Sequence, residues 1–144
     1  MNEPTDIKVG RLLWGGPLTV ALSVVAVLLI RAVGVAVLHP SAEFAPLTAQ
    51  ISGFDAVFFG ACAVFAFYSI CRYGLEPIRE YRSLAWKVLL VSFLPDIALA
   101  LAHLFGSGWP EAFVQMTMHI AVWAICVTML PIIVAPKVRV TKVR

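Results

Sequence analysis

The sequence predicts an all-α integral membrane protein: a four-helix antiparallel bundle with both termini cytoplasmic. Three observations carry this expectation. Hydrophobic residues make up 61% of the 144 and charged residues 13%, with a mean hydropathy of +0.93, whereas ordinary globular chains carry roughly 25% charged residues. Four apolar stretches are close to or beyond the ~20 residues that a helix rising ~1.5 Å per residue needs to cross ~30 Å of hydrocarbon. The basic residues also segregate to alternate connections between those stretches, as membrane topology demands.

The first span is expected over 12–38, broken only by Arg31 near its far end. Lys8 and Arg11 give it a basic lead, and Gly34, Val35 and Ala36 form a weak small-residue site. Its apolar core outruns the about 7–15 residues of a signal peptide, and Arg31 stands where a cleavage region is uncharged, so the segment is expected to be retained. The second span, 54–71, has Asp55 at its start. The third, 84–105, holds Lys87, Asp96 and His103, and the fourth, 112–135, carries Gln115 and His119. These spans occupy most of the chain, so residues 1–144 read as a single transmembrane domain with no internal repeat.

Ten of the eleven basic residues flank one side: Lys8 and Arg11, then Arg72, Arg79, Arg82 and Lys87, then Lys137, Arg139, Lys142 and Arg144. The opposite loops contain Glu43 and Glu111 but no Lys or Arg. Basic residues stay in the cytoplasm, which places both termini inside. The net charge of +3 is therefore a topology signal, and the basic tail is expected to meet anionic lipid rather than nucleic acid. Short connections make neighbouring spans antiparallel. Glu76 to Arg82 reads as a short interfacial turn after the helix breakers Gly74 and Pro77, and the His39–Gly53 loop as a segment along the membrane surface. Cys62, Cys71 and Cys126 all fall inside spans and read as packing, with no disulfide framework.

Charged residues inside a span are costly and usually face the bundle interior. By helical rise, Arg31 lies about 10 Å from the outer end of its span, Asp96 about 15 Å, His119 about 11 Å and His103 about 4 Å. These groups gather in the outer half, while the inner half reads as nearly pure hydrocarbon. Asp96 and His103, seven residues apart, share a helix face, and Glu111, Gln115 and His119 climb another at intervals of four. If both faces point inward, Arg31, Asp96 and His119 form a cluster, with His103, Gln115 and Glu111 lining a path to the outer surface. Arg31, Asp96, His103, Gln115 and His119 are accordingly the candidate ligand-binding residues. Pro95, which removes a backbone hydrogen bond beside Asp96, strengthens the case.

Two alternatives stand beside that reading. The cluster can be a structural network that neutralises buried charges and fixes helix register. It can also be a haem or metal site using His103 and His119, although no His-x3-His or Cys-x2-Cys pair is present and the two histidines differ in depth by ~7 Å. No cofactor is predicted. No nucleophile, base and orienter set, phosphate loop or paired-carboxylate arrangement is visible, so enzyme chemistry has no specific support. Ala56, Gly60 and Ala63 form a small-residue strip suited to close helix contact, within the bundle in preference to between protomers. Phe54, Phe58, Phe59, Phe65 and Phe67 are scattered around their helix and read as lipid-facing or core residues. Trp14, Trp86 and Trp109 sit near span ends, where interfacial tryptophans belong.

Ser92, Leu94 and Pro95 in the third span, with Thr117, Met118, His119, Leu130 and Pro131 in the fourth, resemble the pattern of a family of small four-helix bacterial membrane proteins of unknown function. The resemblance covers essentially the whole membrane region. It implies no activity, and it points to Pro95, Asp96 and His119 as the residues of interest. The expected function is that of a membrane subunit whose polar cluster lies in the outer half of the bundle. The competing reading is a module that binds or transports a small ligand, proton or ion from the outer face. Expected partners are the lipid bilayer and a homo-oligomer or larger membrane complex, with no nucleic acid. The expected compartment is the bacterial cytoplasmic membrane.

Overall fold

A computed structural model describes residues 9–40 and 45–134. Lys8, Glu43, Ala135 and the basic tail residues Lys137, Arg139, Lys142 and Arg144, which bear on the predicted topology, lie outside the described residues. Four long helices make up the fold: α1 Leu12–Leu38, α2 Ala49–Tyr73, α3 Pro77–Ala102 and α4 Trp109–Val134. Single 3-10 turns precede α1 (Val9–Arg11), α2 (Ala45–Leu47) and follow α3 (Leu104–Gly106). All four helices are long and apolar enough to cross a membrane. Their apolar residues also point outward: Leu29 and Val33 of α1, Phe54 and Phe65 of α2, Leu94 of α3 and Ile132 of α4 are exposed. A surface of this kind is suited to lipid, not water.

The end where α1 joins α2 and α3 joins α4 is called distal here; the other is the terminal end. The helix limits follow local chemistry. At the distal end, α1 and α3 stop where His39 (φ 47°) and His103 (φ 49°) take the left-handed conformation. Their amide N–H groups donate back to the Val35 and Leu99 carbonyls. The αL turn satisfies orphan carbonyls at the helix end, so α3 stops at Ala102, short of the expected Phe105. The Thr48 hydroxyl accepts from the Ile51 amide at 3.4 Å and starts α2 five residues before the expected Phe54. Glu76 to Arg82 does not form a separate interfacial turn. Pro77 occupies the first turn of α3, where its missing N–H costs nothing. Glu80 accepts from the Leu75 and Glu76 amides at 3.1 and 3.0 Å, and so caps the helix start.

α1 packs along both α4 and α2, and α4 packs along α3, but α2 and α3 meet only sparsely. Close approach on α1 depends on its glycines. A Cβ on Gly15 would lie 2.5 Å from Ile133 Cγ2, and one on Gly34 2.7 Å from Val114 Cγ1, both on α4. The expected small-residue strip on α2 packs inside the chain: Gly60 faces Val20, and Ala56 joins a distal core with Val27, Leu47 and Met118. A second core at the terminal end holds Leu12, Phe67, Tyr81, Leu130 and Val134. The Phe67 and Tyr81 rings, 4.7 Å apart, join α2 to α3 there.

The terminal half is less purely hydrocarbon than expected. Thr19 and Ser23 are fully buried on α1, with their hydroxyls bonded back to the Gly15 and Thr19 carbonyls at 2.8 and 2.9 Å. Such i to i−4 bonds let a hydroxyl sit in an apolar interior without an unmet donor.

Candidate functional site

Because α2 and α3 are joined by Phe67 and Tyr81 but part company distal to them, a cavity of about 250 Å³ opens between the two helices. α4 forms its back wall. Along α2 the lining extends from Ser52 to Ala66, about 21 Å of helical rise. A cavity this long and this small is a slot. Its edges are Phe59 and Cys62 on α2 and Leu84 and Val88 on α3, all exposed on the bundle surface. The slot therefore opens sideways, toward the side where lipid chains lie if the helices span a bilayer. Ala63 and Ala66 on α2 and Ala85 on α3 leave it its width.

The polar lining is uneven. Ser52, Asp55, Gln115 and His119 lie toward the distal end, while the remainder is chiefly apolar and aromatic, with Trp123 and Tyr81 deeper. Two buried polar atoms in the residues that line it have no hydrogen-bond partner: Gln115 Oε1 and Trp123 Nε1. A buried polar group without a partner costs about 1–3 kcal/mol, which makes each of them a candidate contact for something bound in the slot. The Trp123 ring packs against Trp86 with centroids 4.3 Å apart, which fixes the indole across the α3–α4 seam.

Asp96, only 3% exposed, sits behind the slot on α3. His119 reaches it from α4, Nε2 to Oδ2 3.3 Å, in a contact whose geometry is that of an ion pair more than of an aligned hydrogen bond. The histidine thus stands between a buried carboxylate and the slot, and Phe93 flanks its ring. Asp55 approaches from the other side, near enough for its charge to interact with His119.

The other candidates from the sequence go elsewhere. Arg31, expected beside Asp96, instead donates from Nε to the Leu47 carbonyl at 2.7 Å. Ser52 Oγ donates to the neighbouring Pro46 carbonyl at 3.1 Å, so the 3-10 turn before α2 is pinned from both α1 and α2. The depth of Arg31 was legible in sequence, but the folding of that turn back over α1 was not. Glu111, expected on a path to the outer surface, accepts from the Gly108 amide at 2.9 Å and caps α4. His103 ends α3 with Nδ1 3.3 Å from the Ser107 carbonyl, and Ser107 Oγ donates to Leu99 O at 2.7 Å. The two histidines of the haem reading thus engage different partners. Among the described residues no group of three or more His, Cys, Asp or Glu side chains is placed to hold a metal ion.

Of the residues singled out in the sequence, Gln115 and His119 line the slot and His119 approaches Asp96. Sequence reasoning missed Trp123 and Asp55 as wall residues, and the alanines that open the slot. Comparison with protein-family models, curated proteins and solved structures gives no match for the chain.

Proposed function

We propose that this protein is a multi-pass component of a bacterial cytoplasmic membrane, with both termini inside, that binds a lipophilic small molecule in the slot between α2 and α3. The ligand enters sideways from the bilayer, lays its apolar part along the slot and places its polar part at the distal end. The unpartnered Gln115 Oε1 and Trp123 Nε1 in a laterally open apolar cavity carry this reading. The chain satisfies neither atom; the ligand's polar part reaches Gln115 Oε1, and its apolar part lies against the Trp123 ring. Ligand sites are typically concave, mostly apolar and furnished with a few convergent polar groups, and this slot has that make-up. The segregation of basic residues supports the orientation, and the resemblance carried by Pro95 and His119 supports the bacterial membrane. In this reading Asp96 and His119 hold α3 on α4 and so keep the back of the slot closed.

The test uses Trp123 as its own reporter. In a chain with Trp14, Trp86 and Trp109 replaced by Phe, reconstituted in lipid nanodiscs, a long-chain alcohol brominated along its chain is expected to quench Trp123 fluorescence saturably. Ala85→Phe, which fills the slot, is expected to abolish the saturable part. Quenching that rises linearly with probe and ignores Ala85→Phe would reflect bilayer partition alone and sink the proposal.

A further inference from the structure

The chemistry of the polar end goes further than the presence of a slot and, resting on that reading, indicates what the ligand's head must be. The ionisable residues in the lining of the distal half are Asp55 and His119, and neither Lys nor Arg lines the slot anywhere. His119 is already matched with Asp96 at 3.3 Å. Asp55 interacts with the same imidazole through its charge, but among the described residues none forms a hydrogen bond or a contact-distance ion pair with its carboxylate, so one imidazole faces two carboxylates.

A second acceptor lines the same distal part of the slot. Asp55 is six residues beyond Ala49, the first residue of α2, and Gln115 is six beyond Trp109, the first of α4. Both are therefore about 9 Å along their helices from the distal ends. Gln115 Oε1 is buried and unpartnered there. Phe59 lies one turn deeper than Asp55 on the same face of α2 and also lines the slot. The distal end thus offers a carboxylate without a hydrogen-bond partner, an unpartnered carbonyl oxygen and an aromatic ring. All three favour a cation that carries N–H donors, through charge-assisted hydrogen bonds and cation–π attraction. An anionic head would meet Asp55 with like charge, and the one base in the lining, His119, already faces the Asp96 and Asp55 carboxylates. A neutral alcohol would satisfy Gln115 but leave the carboxylate unmatched.

We infer that the slot is selective for lipophilic amines in their ammonium form, the nitrogen held between Asp55 and Gln115 at the distal mouth and the apolar part lying past Phe59 toward Trp123.

Three probes with one brominated alkyl chain and different heads, a primary amine, an alcohol and a carboxylate, separate this inference from the slot itself. Each is titrated against the single-tryptophan chain in nanodiscs of zwitterionic lipid, its membrane concentration corrected by partition into empty nanodiscs. The amine is expected to bind tightest. Asp55→Asn is expected to weaken the amine about tenfold, equivalent to about 1.4 kcal/mol, while leaving the alcohol unchanged. Asp55→Glu is expected to keep the preference, and because Asp55 is exposed on its helix neither substitution disturbs a packed core. If amine and alcohol bind the native chain equally, or if Asp55→Asn weakens both alike, the amine inference is overturned and the slot stands. If no probe quenches saturably, the slot reading falls and this inference with it.

Discussion

His119 Nε2 lies 3.3 Å from Asp96 Oδ2 across the seam between α4 and α3. It is the cross-helix ion pair among the described residues, since the other one, Arg79 with Glu76, lies within α3 and its cap on the exposed end of the bundle. Asp96 is 3% exposed inside an apolar bundle, and the imidazole is the side chain that faces its Oδ2.

Removing either partner is therefore expected to loosen α3 from α4. Asp96→Ala and His119→Ala should each destabilise the bundle by roughly 1–3 kcal/mol, measured by denaturant unfolding in mild detergent. Polar pairs in membranes usually couple near the weak end, and the His119 side chain keeps 31% exposure, so a coupling close to about 1 kcal/mol is expected from the double-mutant cycle. Additive single effects would mean that the two residues act separately.

The glycines make the sharpest packing prediction. A Cβ at Gly34 would press to 2.7 Å from Val114 Cγ1, whereas a Cβ at Gly53 meets nothing within 4 Å. Gly34→Ala is expected to cost about 1–3 kcal/mol through overpacking. Gly53→Ala, in an open helical position of α2, is expected to be neutral or to stabilise by up to about 1 kcal/mol. Thermal midpoints of the two variants in one detergent check the pair, and equal shifts would contradict the α1–α4 contact.

How much of this was legible in the sequence depends on what each feature rests on. α1 matches its apolar run from Leu12 to Leu38 residue for residue, because run length alone determines it. α3 begins seven residues before the expected Leu84: polarity hid the start, although Pro77 and the capping Glu80 were visible signals. The approach of His119 to Asp96 followed from depth and face, which are properties of single helices. The course of Arg31 did not, because its partner is a backbone carbonyl whose position depends on a tertiary turn. The slot was hidden for the same reason. It is produced by α2 and α3 meeting at Phe67 and Tyr81 and parting beyond them, and pairwise helix packing leaves no trace in one helix's periodicity.

Orientation gives a prediction independent of the slot. The basic residues flank the terminal end and the Arg72–Lys87 connection, so both should face the cytoplasm. A phosphatase active only after export, fused after Gly108, is expected to be active, and the same enzyme fused at the C-terminus inactive. The reverse pattern would invert the assignment, with the distal mouth of the slot then facing the cytoplasm.

Arg31 supplies the last prediction. Its Nε donates to the Leu47 carbonyl, and Leu47 is in turn buried against Val27, Ala56 and Met118, so one hydrogen bond holds the turn before α2 onto α1. Arg31→Gln loses the charge and shortens the reach, while the apolar contacts of Leu47 remain. Amide hydrogen exchange is therefore expected to speed up locally over Leu47 to Ser52, by about five- to tenfold for a bond worth roughly 1–1.5 kcal/mol, with the centres of α1, α3 and α4 unchanged. Amine binding by the slot should survive, because Arg31 does not line it. If Arg31→Gln instead abolishes binding while leaving exchange at Leu47 unaltered, the guanidinium acts on the ligand, and the cluster of Arg31, Asp96 and His119 expected from the sequence becomes the better description.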